Sequence, residues 1–241
     1  MSIPRLHVDA PLHEGAEIPA TAGQAHYLGS VMRRGPGDPV ALFNGRDGEW
    51  AAEIATLRKD RATFRALRTT RPQESPPELR LLLAAVKRDA MDLVAEKATE
   101  LGVGLIQPVF TRRSVVSAVN RERLQNITRE AAEQCERLTV PVVAEARPLH
   151  AVLDGWDGTP LLVGAERAGA PPLAQVARGL RPPLAWLVGP EGGFERAELD
   201  DLARRAFVSP VGLGPRILRA ETAAIAGLAI LQAIAGDWSF D

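Results

Sequence analysis

Short runs of apolar residues separated by polar ones characterise the first 70 residues of the chain. Residues 38–43 have the pattern of one strand, and residues 49–54 alternate with the period of two that a half-buried strand needs. Asn44 and Gly45 stand between these runs and are typical of a hairpin turn. The N-terminal region is therefore predicted to be a small all-β domain.

A cluster of prolines interrupts this pattern. Pro72, Pro76 and Pro77 fall within residues 71–77. Because proline fixes φ and lacks a backbone N–H, such a cluster is typical of a linker. The chain is therefore predicted to consist of a β-domain over residues 1–71, a linker over 72–78 and a second domain over 79–241.

From residue 79 onward, continuous apolar runs alternate with runs at helical spacing. Gly102 is expected to end a helix that starts near Met91, and Asn120 is expected to cap the next one. Alternating strands and helices with short connections predict a parallel α/β sheet. The second helix is assigned the apolar stripe Leu124, Ile127, Ala131, Cys135 and Leu138. The predicted strands are 79–86, 105–110, 160–165, 184–188 and 207–213, and the remaining helices are 173–179, 195–205 and 221–235.

Composition is that of an ordinary globular protein. The 241 residues are 46% hydrophobic and 24% charged, with a formal net charge of −1. The single cysteine excludes a disulfide framework, and the histidines (His7, His13, His26, His150) lack metal-ligand spacing. No apolar run approaches the roughly 20 residues of a membrane span, and the first residues lack the apolar core of a signal peptide. We expect a soluble, cytoplasmic protein without a metal.

One strip of the β-domain is strongly basic. Six basic residues and one acidic residue lie between Arg58 and Arg71. The strip is either the solvated face of a strand pair or a surface that contacts phosphates, since phosphate charge dominates affinity for nucleic acid. A net charge near zero argues against indiscriminate coating of nucleic acid. The sequence leaves both interpretations open.

Two glycine-rich segments follow predicted strands of the second domain. Residues 187–194 read LVGPEGGF, and residues 211–223 read VGLGPRILRAETA. Neither contains the Gly-Lys-Ser/Thr of a P-loop or the Gly-x-Gly-x-x-Gly of a dinucleotide site. In open parallel sheets, ligands bind at the carboxyl ends of the strands, and glycine there allows a ligand to approach the backbone. The two segments are therefore the candidate ligand site.

These segments resemble the GPEGGF and LG-x-RILR-x-ETA signatures of the RsmE-like methyltransferases, which belong to the trefoil-knotted (SPOUT) superfamily. The resemblance extends over most of the chain, although Glu195 stands where the family often has a hydroxyl residue that caps the next helix. Further matches are residues 96–103 (EKATELGV), 111–114 (T-x-RS), 130–134 (EAAEQ) with Arg137 and Pro141, and Val31-Met32-Arg33 with Gly37-Asp38 in a PUA-like β-barrel.

The resemblance implies an α/β fold in which a parallel-sheet SPOUT domain with a deep trefoil knot follows a small PUA-like β-barrel. It implies a homodimer that methylates N3 of a uridine in 16S ribosomal RNA, or in the small ribosomal subunit, with S-adenosyl-L-methionine (SAM). Residues 221–235 are apolar on every face, which indicates burial in a core or against a partner. The implied cofactor-binding residues are Leu187, Gly189, Pro190, Glu191, Gly192, Gly193, Leu213, Gly214, Ile217, Leu218 and Ala223.

Methylation of uracil N3 requires loss of the N3 proton, and negative charge then spreads to the flanking carbonyl oxygens. A fixed guanidinium would stabilise that charge, and Arg219 is the candidate. Glu221 or Glu191 is the candidate for accepting the proton or orienting the base. Alternatively, Arg219 and Glu221 form a structural ion pair at the start of a helix.

Contacts to RNA are expected from basic and polar residues of both domains. Glu130, Gln134 and Arg137 fall at i, i+4 and i+7 and are predicted to share one side of a helix. The candidate RNA-binding residues are Arg33, Arg65, Arg68, Arg113, Gln134 and Arg137. Two other functions remain open, a non-catalytic RNA-binding or ribosome-assembly protein and a SPOUT methylase with a different RNA target.

Overall fold

The structure of the protein is a computed structural model that describes residues 3–75, 78–164 and 169–238. The chain divides into two compact units. The first comprises residues 1–76 and the segment 132–140, and the second comprises residues 77–131 and 141–241. The domain boundary predicted at residues 72–78 stays a prediction, and its Pro76 and Pro77 lie outside the described residues.

The first unit is built on a five-stranded sheet in the order β1-β3-β4-β5-β2. β1 pairs with β3 in parallel, whereas the other pairs are antiparallel. Alternate residues of the strands, among them Leu42, Ile54 and Phe64, are buried in one core. The elements are β1 (Arg5–His7), β2 (Glu17–Pro19), α1 (Ala22–His26) followed by a π-helical turn (Tyr27–Val31), β3 (Pro39–Phe43), β4 (Glu49–Arg58) and β5 (Arg61–Arg71).

The predicted hairpin is confirmed by the pairing of β3 with β4, but its turn is longer than two residues. Residues 44–48 form the connection. The Asn44 side-chain oxygen accepts the backbone N–H groups of Arg46 (3.0 Å) and Asp47 (2.9 Å). Gly45 and Gly48 both have positive φ. The amide side chain thus organises a wider loop than the dipeptide alone predicted.

The second unit contains a seven-stranded, entirely parallel sheet in the order β12-β10-β11-β6-β7-β8, with β9 also beside β7. The predicted parallel α/β sheet is confirmed, although Ala165 of the predicted strand 160–165 lies outside the described residues. Its strands are β6 (Leu79–Ala84), β7 (Leu105–Phe110), β8 (Val142–Val143), β9 (Arg147–Pro148), β10 (Leu161–Gly164), β11 (Leu184–Val188) and β12 (Val208–Val211), and its helices are α2 (Arg88–Glu100), α3 (Arg121–Gln134), α4 (Leu149–Asp154), α5 (Leu173–Ala177), α6 (Arg196–Ala203) and α7 (Ala220–Ala235).

Trp186 fixes α7 against the centre of this sheet. Its side chain is fully buried on β11, and its indole N–H donates to the carbonyl of Ala223 (3.3 Å). A Cβ at Gly227 would lie 2.3 Å from the indole ring, so only glycine allows this approach. The first half of α7 is thereby held against β11.

The predicted stripe of α3 is wrong beyond Gln134. Asn120 caps the helix as predicted, since its side-chain oxygen accepts the N–H of Arg123 (2.9 Å). The helix ends at Gln134, and Glu136 then adopts a positive φ of 62°. Cys135, Arg137 and Leu138 therefore lie outside the helix, and Arg137 does not continue its Glu130–Gln134 face.

Segment 132–140 instead packs within the first unit, around the buried guanidinium of Arg5. Its Nη1 donates to the Ala132 carbonyl (2.8 Å), its Nη2 donates to the Arg137 carbonyl, and its Nε donates to Glu49 (2.6 Å). The guanidinium also lies 3.8 Å from the centroid of the Phe43 ring. The three acceptors and the ring together replace the water that the guanidinium loses on burial.

Candidate active site

Three neighbouring strands of the second unit end at the same edge of the sheet. Gly164 at the end of β10 pairs with Val211 at the end of β12, and Val163 pairs with Leu187 of β11. Because all the strands are parallel and β10 lies between β11 and β12, the segments that follow β11 and β12 start on either side of the end of β10. This edge therefore brings the two glycine-rich segments to the position where open α/β sheets bind ligands.

The loop after β11, residues 189–195, is a tight turn. The N–H of Gly193 donates to the carbonyl of Pro190 (2.8 Å), and Gly193 has a φ of 68°. A Cβ on Gly189 would lie 2.9 Å from the Phe194 ring, so this glycine is needed for packing. The N–H groups of Glu191 and Gly192 donate no hydrogen bond to any other described residue. They remain available to a ligand.

The loop after β12, residues 212–219, is held only at its beginning. Gly212 donates to the Pro171 carbonyl (2.9 Å) and accepts from the N–H of Leu173 (3.0 Å). The sequence did not predict this pairing with residues 171–173, because no motif indicates it. Further along, Ile217 is 61% exposed. Six backbone N–H groups of this loop donate to no other described residue, namely those of Leu213, Gly214, Arg216, Ile217, Leu218 and Arg219.

The two charged residues assigned to catalysis in the second loop lie at the start of α7. Arg219 is its N-cap residue and is exposed, and Glu221 lies in its first turn. Among the described residues no ion pair joins them, so the structural ion pair considered from the sequence is not found. The third candidate, Glu191, is exposed on the neighbouring loop. The free N–H groups at the start of a helix attract negative charge. Their effect adds to the positive field of the Arg219 guanidinium.

Two of the residues assigned to the cofactor do not present a side chain to this edge. Leu187 is fully buried in the core below the sheet edge. Ala223 is partly buried, and its carbonyl already accepts the Trp186 indole N–H. The remaining nine lie on the two loops. The assignment of all eleven stays a prediction.

Glu195, the last residue of the first loop, is the N-cap of α6. Its backbone N–H donates to the carboxylate of Glu198 (2.9 Å). The carboxylate of Glu198, at the third helical position, thus accepts this N–H at the start of the helix, although Glu195 has no hydroxyl group. Beside α6, a cavity of about 390 Å³ opens at the ends of β7 and β9. Its lining includes Thr111, Arg112, His150 and Asp201, and none of the residues of the two glycine-rich loops.

The candidate RNA-binding residues of the first unit differ in their surroundings. Arg65 lies near two carboxylates, Glu17 (3.7 Å) and Glu53 (3.5 Å), whereas Arg68 is exposed and forms no ion pair with a described residue. Arg33 is exposed with a φ of 54° just after the π-helical turn. These three stay predictions.

Two further candidates lie where α3 ends. Gln134 is exposed at the last position of the helix. Arg137 is half-buried, and its Nη2 donates to the Thr139 hydroxyl (3.2 Å). Arg113 of the second unit donates from Nη1 to the Gly192 carbonyl (2.7 Å), a contact that the sequence did not indicate. All three assignments to RNA stay predictions.

Two features are absent from residues 3–75, 78–164 and 169–238. No helix there is long and apolar enough to cross a membrane. No cluster of three or more His, Cys, Asp or Glu residues there has the arrangement of a metal site.

Comparison with known proteins defines the class of this protein. Residues 73–232 match the family model of an RNA methyltransferase domain, and residues 20–67 match that of an RNA methyltransferase PUA domain. The chain belongs to this RNA methyltransferase family.

Within that class, the relatives are the ribosomal RNA small subunit methyltransferases E. The one from Rickettsia conorii is 33% identical over 231 residues, which is 95% of each chain. The crystal structure of the one from Neisseria gonorrhoeae, bound to S-adenosyl methionine, is 32% identical with a TM-score of 0.87 and covers 99% of this chain and 100% of that chain. A methyltransferase from Legionella pneumophila in complex with SAM is 29% identical with a TM-score of 0.88 and covers 98% and 99%.

These findings confirm the family that the sequence motifs indicated. They also confirm its fold class, a mixed α/β chain with a parallel sheet and an N-terminal PUA-like domain. The trefoil knot that the resemblance implies stays a prediction.

Proposed function

We propose that this protein transfers a methyl group from SAM to N3 of a uridine in the RNA of the small ribosomal subunit. The observation that carries the proposal is the concentration of unpaired backbone N–H groups and the exposed Arg219 at one edge of the parallel sheet. Relatives of the same length carry the name of ribosomal RNA small subunit methyltransferase E. A substrate of this kind places the enzyme in the cytoplasm.

The donor set of the two loops fits SAM. Its adenine, ribose and carboxylate need hydrogen-bond partners, which the free N–H groups of Glu191, Gly192, Gly214 and Leu218 can supply. Its adenine ring also needs an apolar surface, and Ile217 offers an exposed one. A site that binds through the backbone needs glycine where the ligand approaches closely. The residues present thus fit the cofactor.

The chemistry divides simply between cofactor and protein. Bound SAM would supply the methyl group, activated on its sulfonium, and would leave as S-adenosylhomocysteine. The guanidinium of Arg219 would stabilise negative charge on the uracil oxygens as the N3 proton leaves. A carboxylate oxygen of Glu221 or Glu191 would accept that proton or orient the base. No covalent intermediate with the protein is needed, only positioning and control of charge.

The proposal is tested by binding and by product analysis. Calorimetry with S-adenosylhomocysteine should show binding that a chelator does not change. Mass spectrometry of small-subunit ribosomal RNA after incubation with SAM should then show one N3-methylated uridine. Absence of binding would contradict a methyltransferase and favour a non-catalytic RNA-binding protein. A methyl group at another position would contradict only the uridine-N3 assignment.

The basic strip of β4 and β5 is proposed to position the RNA through its phosphates. Arg68 and Arg65 form a matched pair for the test, because only Arg65 already lies near two carboxylates. Arg68→Glu should weaken RNA binding more than Arg65→Glu and should reduce the salt dependence of affinity. Equal and negligible effects would make the strip a solvated surface.

A homodimer is also part of the proposal, and α7 supports it. The sequence predicted that this helix is buried on every face, but within one chain only one side is covered. The other side is partly or fully exposed and forms a continuous stripe of small or apolar residues, Thr222, Ile225, Ala226, Ala229 and Ala233. Light scattering should give about twice the chain mass of 25.9 kDa. An active monomer would contradict it.

A further inference from the structure

A short turn after β7 contacts the loop that follows β11. The turn comprises residues 111–114 and is closed by its own side chains. The N–H of Thr111 donates to the Ser114 hydroxyl (2.9 Å), and the N–H of Ser114 donates to the Thr111 carbonyl (3.1 Å). Thr111 is buried, so the turn is anchored at its base. The two arginines between these residues therefore extend from a fixed backbone.

The two arginines act on the glycine-rich loop in different ways. Arg113 donates from Nη1 to the carbonyl of Gly192 (2.7 Å). Arg112 uses its backbone N–H to reach the carboxylate of Glu198 in α6 (2.9 Å), while its side chain lies 3.8 Å from Glu195. The side chain of Arg113 is therefore essential to its contact, whereas that of Arg112 is not.

The Arg113 contact completes the restraint of one peptide group. The peptide between Gly192 and Gly193 has its N–H bound to the carbonyl of Pro190 (2.8 Å). Arg113 binds the oxygen of the same peptide. Because glycine accepts many backbone conformations, a peptide between two glycines rotates readily unless both ends are held. Loss of Arg113 would leave only one end restrained.

We propose that Arg113 is a positioning residue that holds the Gly189–Gly193 loop in the conformation that binds the cofactor. The inference rests on the proposed function for its ligand, and it assigns to Arg113 a role other than contact with RNA. The orientation of the Gly192–Gly193 peptide also sets the direction of the free N–H groups of Glu191 and Gly192. Arg113 thus acts on the cofactor through the loop, without touching it.

Hydrogen exchange of the ligand-free protein tests the restraint by itself. Arg113→Ala should increase the exchange rate of the Gly193 amide several-fold, because the bond to Pro190 opens more often when the peptide can rotate. Arg112→Ala is the matched control and should leave that rate unchanged, since its contact to Glu198 is through the backbone. Unchanged exchange in Arg113→Ala would overturn the inference. This measurement does not depend on which ligand binds.

Calorimetry with S-adenosylhomocysteine tests the consequence for binding. Arg113→Ala should raise Kd about tenfold, the low end for losing a hydrogen bond to a charged group because the contact is partly exposed. Arg113→Lys should recover part of the affinity, since an ammonium can still reach the carbonyl with one donor. Affinity for a small-subunit RNA fragment should change less than twofold. A fall in RNA affinity with unchanged Kd would assign Arg113 to RNA.

The two measurements also separate the restraint from the proposed function. If the wild-type protein binds no S-adenosylhomocysteine while the exchange result holds, the proposed function fails and the restraint stands.

Discussion

Arginine and glycine occur at both the amino and the carboxyl edge of the parallel sheet, but their surroundings differ between the two edges. At the amino edge, Arg80 donates to Asp157 (2.7 Å) and lies over the Trp156 ring, whose indole N–H donates to Thr159 (2.7 Å). At the carboxyl edge, Arg219 is exposed and forms no ion pair with a described residue. Arg80 therefore stabilises the fold, while Arg219 is free to meet a substrate.

Glycine shows the same contrast. Gly102 at the amino edge has a φ of 80°, and a Cβ there would lie 2.2 Å from Nε2 of Gln232, which donates to the Leu101 carbonyl (2.7 Å). Gly193 at the carboxyl edge has a φ of 68°, but a Cβ there would meet nothing within 4 Å. Both need glycine for their backbone conformation. Only the second keeps open space, which is what a ligand site requires.

The largest expected effect is on Arg219. Arg219→Ala should reduce turnover by about 10²–10³-fold, the usual loss for one preorganised donor to a developing oxyanion. Because the side chain is exposed and makes no ion pair in the described structure, thermal stability should be unchanged. SAM affinity should fall far less than turnover, since the contact strengthens in the transition state.

Arg219→Lys is the companion variant and should restore only part of the rate, because an ammonium lacks the planar fork. Turnover, S-adenosylhomocysteine affinity and melting temperature should be measured on each protein. A parallel decline of all three would show that Arg219, like Arg80 at the amino edge, stabilises the fold.

A matched pair of glycine substitutions separates the two edges next. Gly102→Ala should lower the free energy of unfolding by about 1–3 kcal/mol, since alanine is strained at positive φ and displaces Gln232. Its folded fraction should bind S-adenosylhomocysteine normally. Gly193→Ala should lose less stability, because its only cost is the backbone strain. It should bind the ligand more weakly, because the Cβ occupies the space through which the ligand approaches the backbone. Thermal melts and calorimetry on both variants check this, and a reversed pattern would break the comparison.

The sequence predicted most of the sheet because its signals are local. Residues 184–188 and 105–110 match the structure residue for residue, since an apolar run bounded by turns has few alternatives. The apolar stripe predicted for α3 was wrong at Leu138, because this side chain packs in another core and does not continue the helix. It is buried with Phe43 and Ala132 in the first unit, a contact distant in sequence that helical periodicity cannot reveal.

The site was predicted only as far as its motifs reach. The glycine-rich segments and Arg219 were assigned from the sequence, and the structure places both segments at one edge. The bond between Arg113 and Gly192 spans 79 positions of the chain, and residue type alone could not distinguish it from a contact with RNA. The pairing of Gly212 with residues 171–173 also joins segments that are distant in sequence, and it was missed because no motif indicates it.

The smallest expected effect concerns Asp157 at the amino edge. Hydrogen bonds from the Thr159 hydroxyl, from Arg80 and from the Thr159 backbone lower the pKa of Asp157 from 3.8 to about 2. A lowered pKa in the folded state stabilises the protein above the unfolded value, and this contribution is lost as pH falls. Asp157→Asn should therefore be less stable than wild type above about pH 4, and the difference should shrink steadily as pH falls from about 4 toward the folded-state pKa of about 2.

The side chain of Asp157 is 53% exposed, so solvent screening limits the difference to less than about 1 kcal/mol. Melting temperatures of both proteins between pH 2 and 6 measure it. Glu191→Gln at the carboxyl edge is the control, and its stability difference from wild type should not follow this profile, because Glu191 is exposed and forms no ion pair with a described residue. If both variants lose stability over the same pH range, the carboxylates at the two edges are equally engaged in the fold, and the contrast between the edges fails for acidic residues.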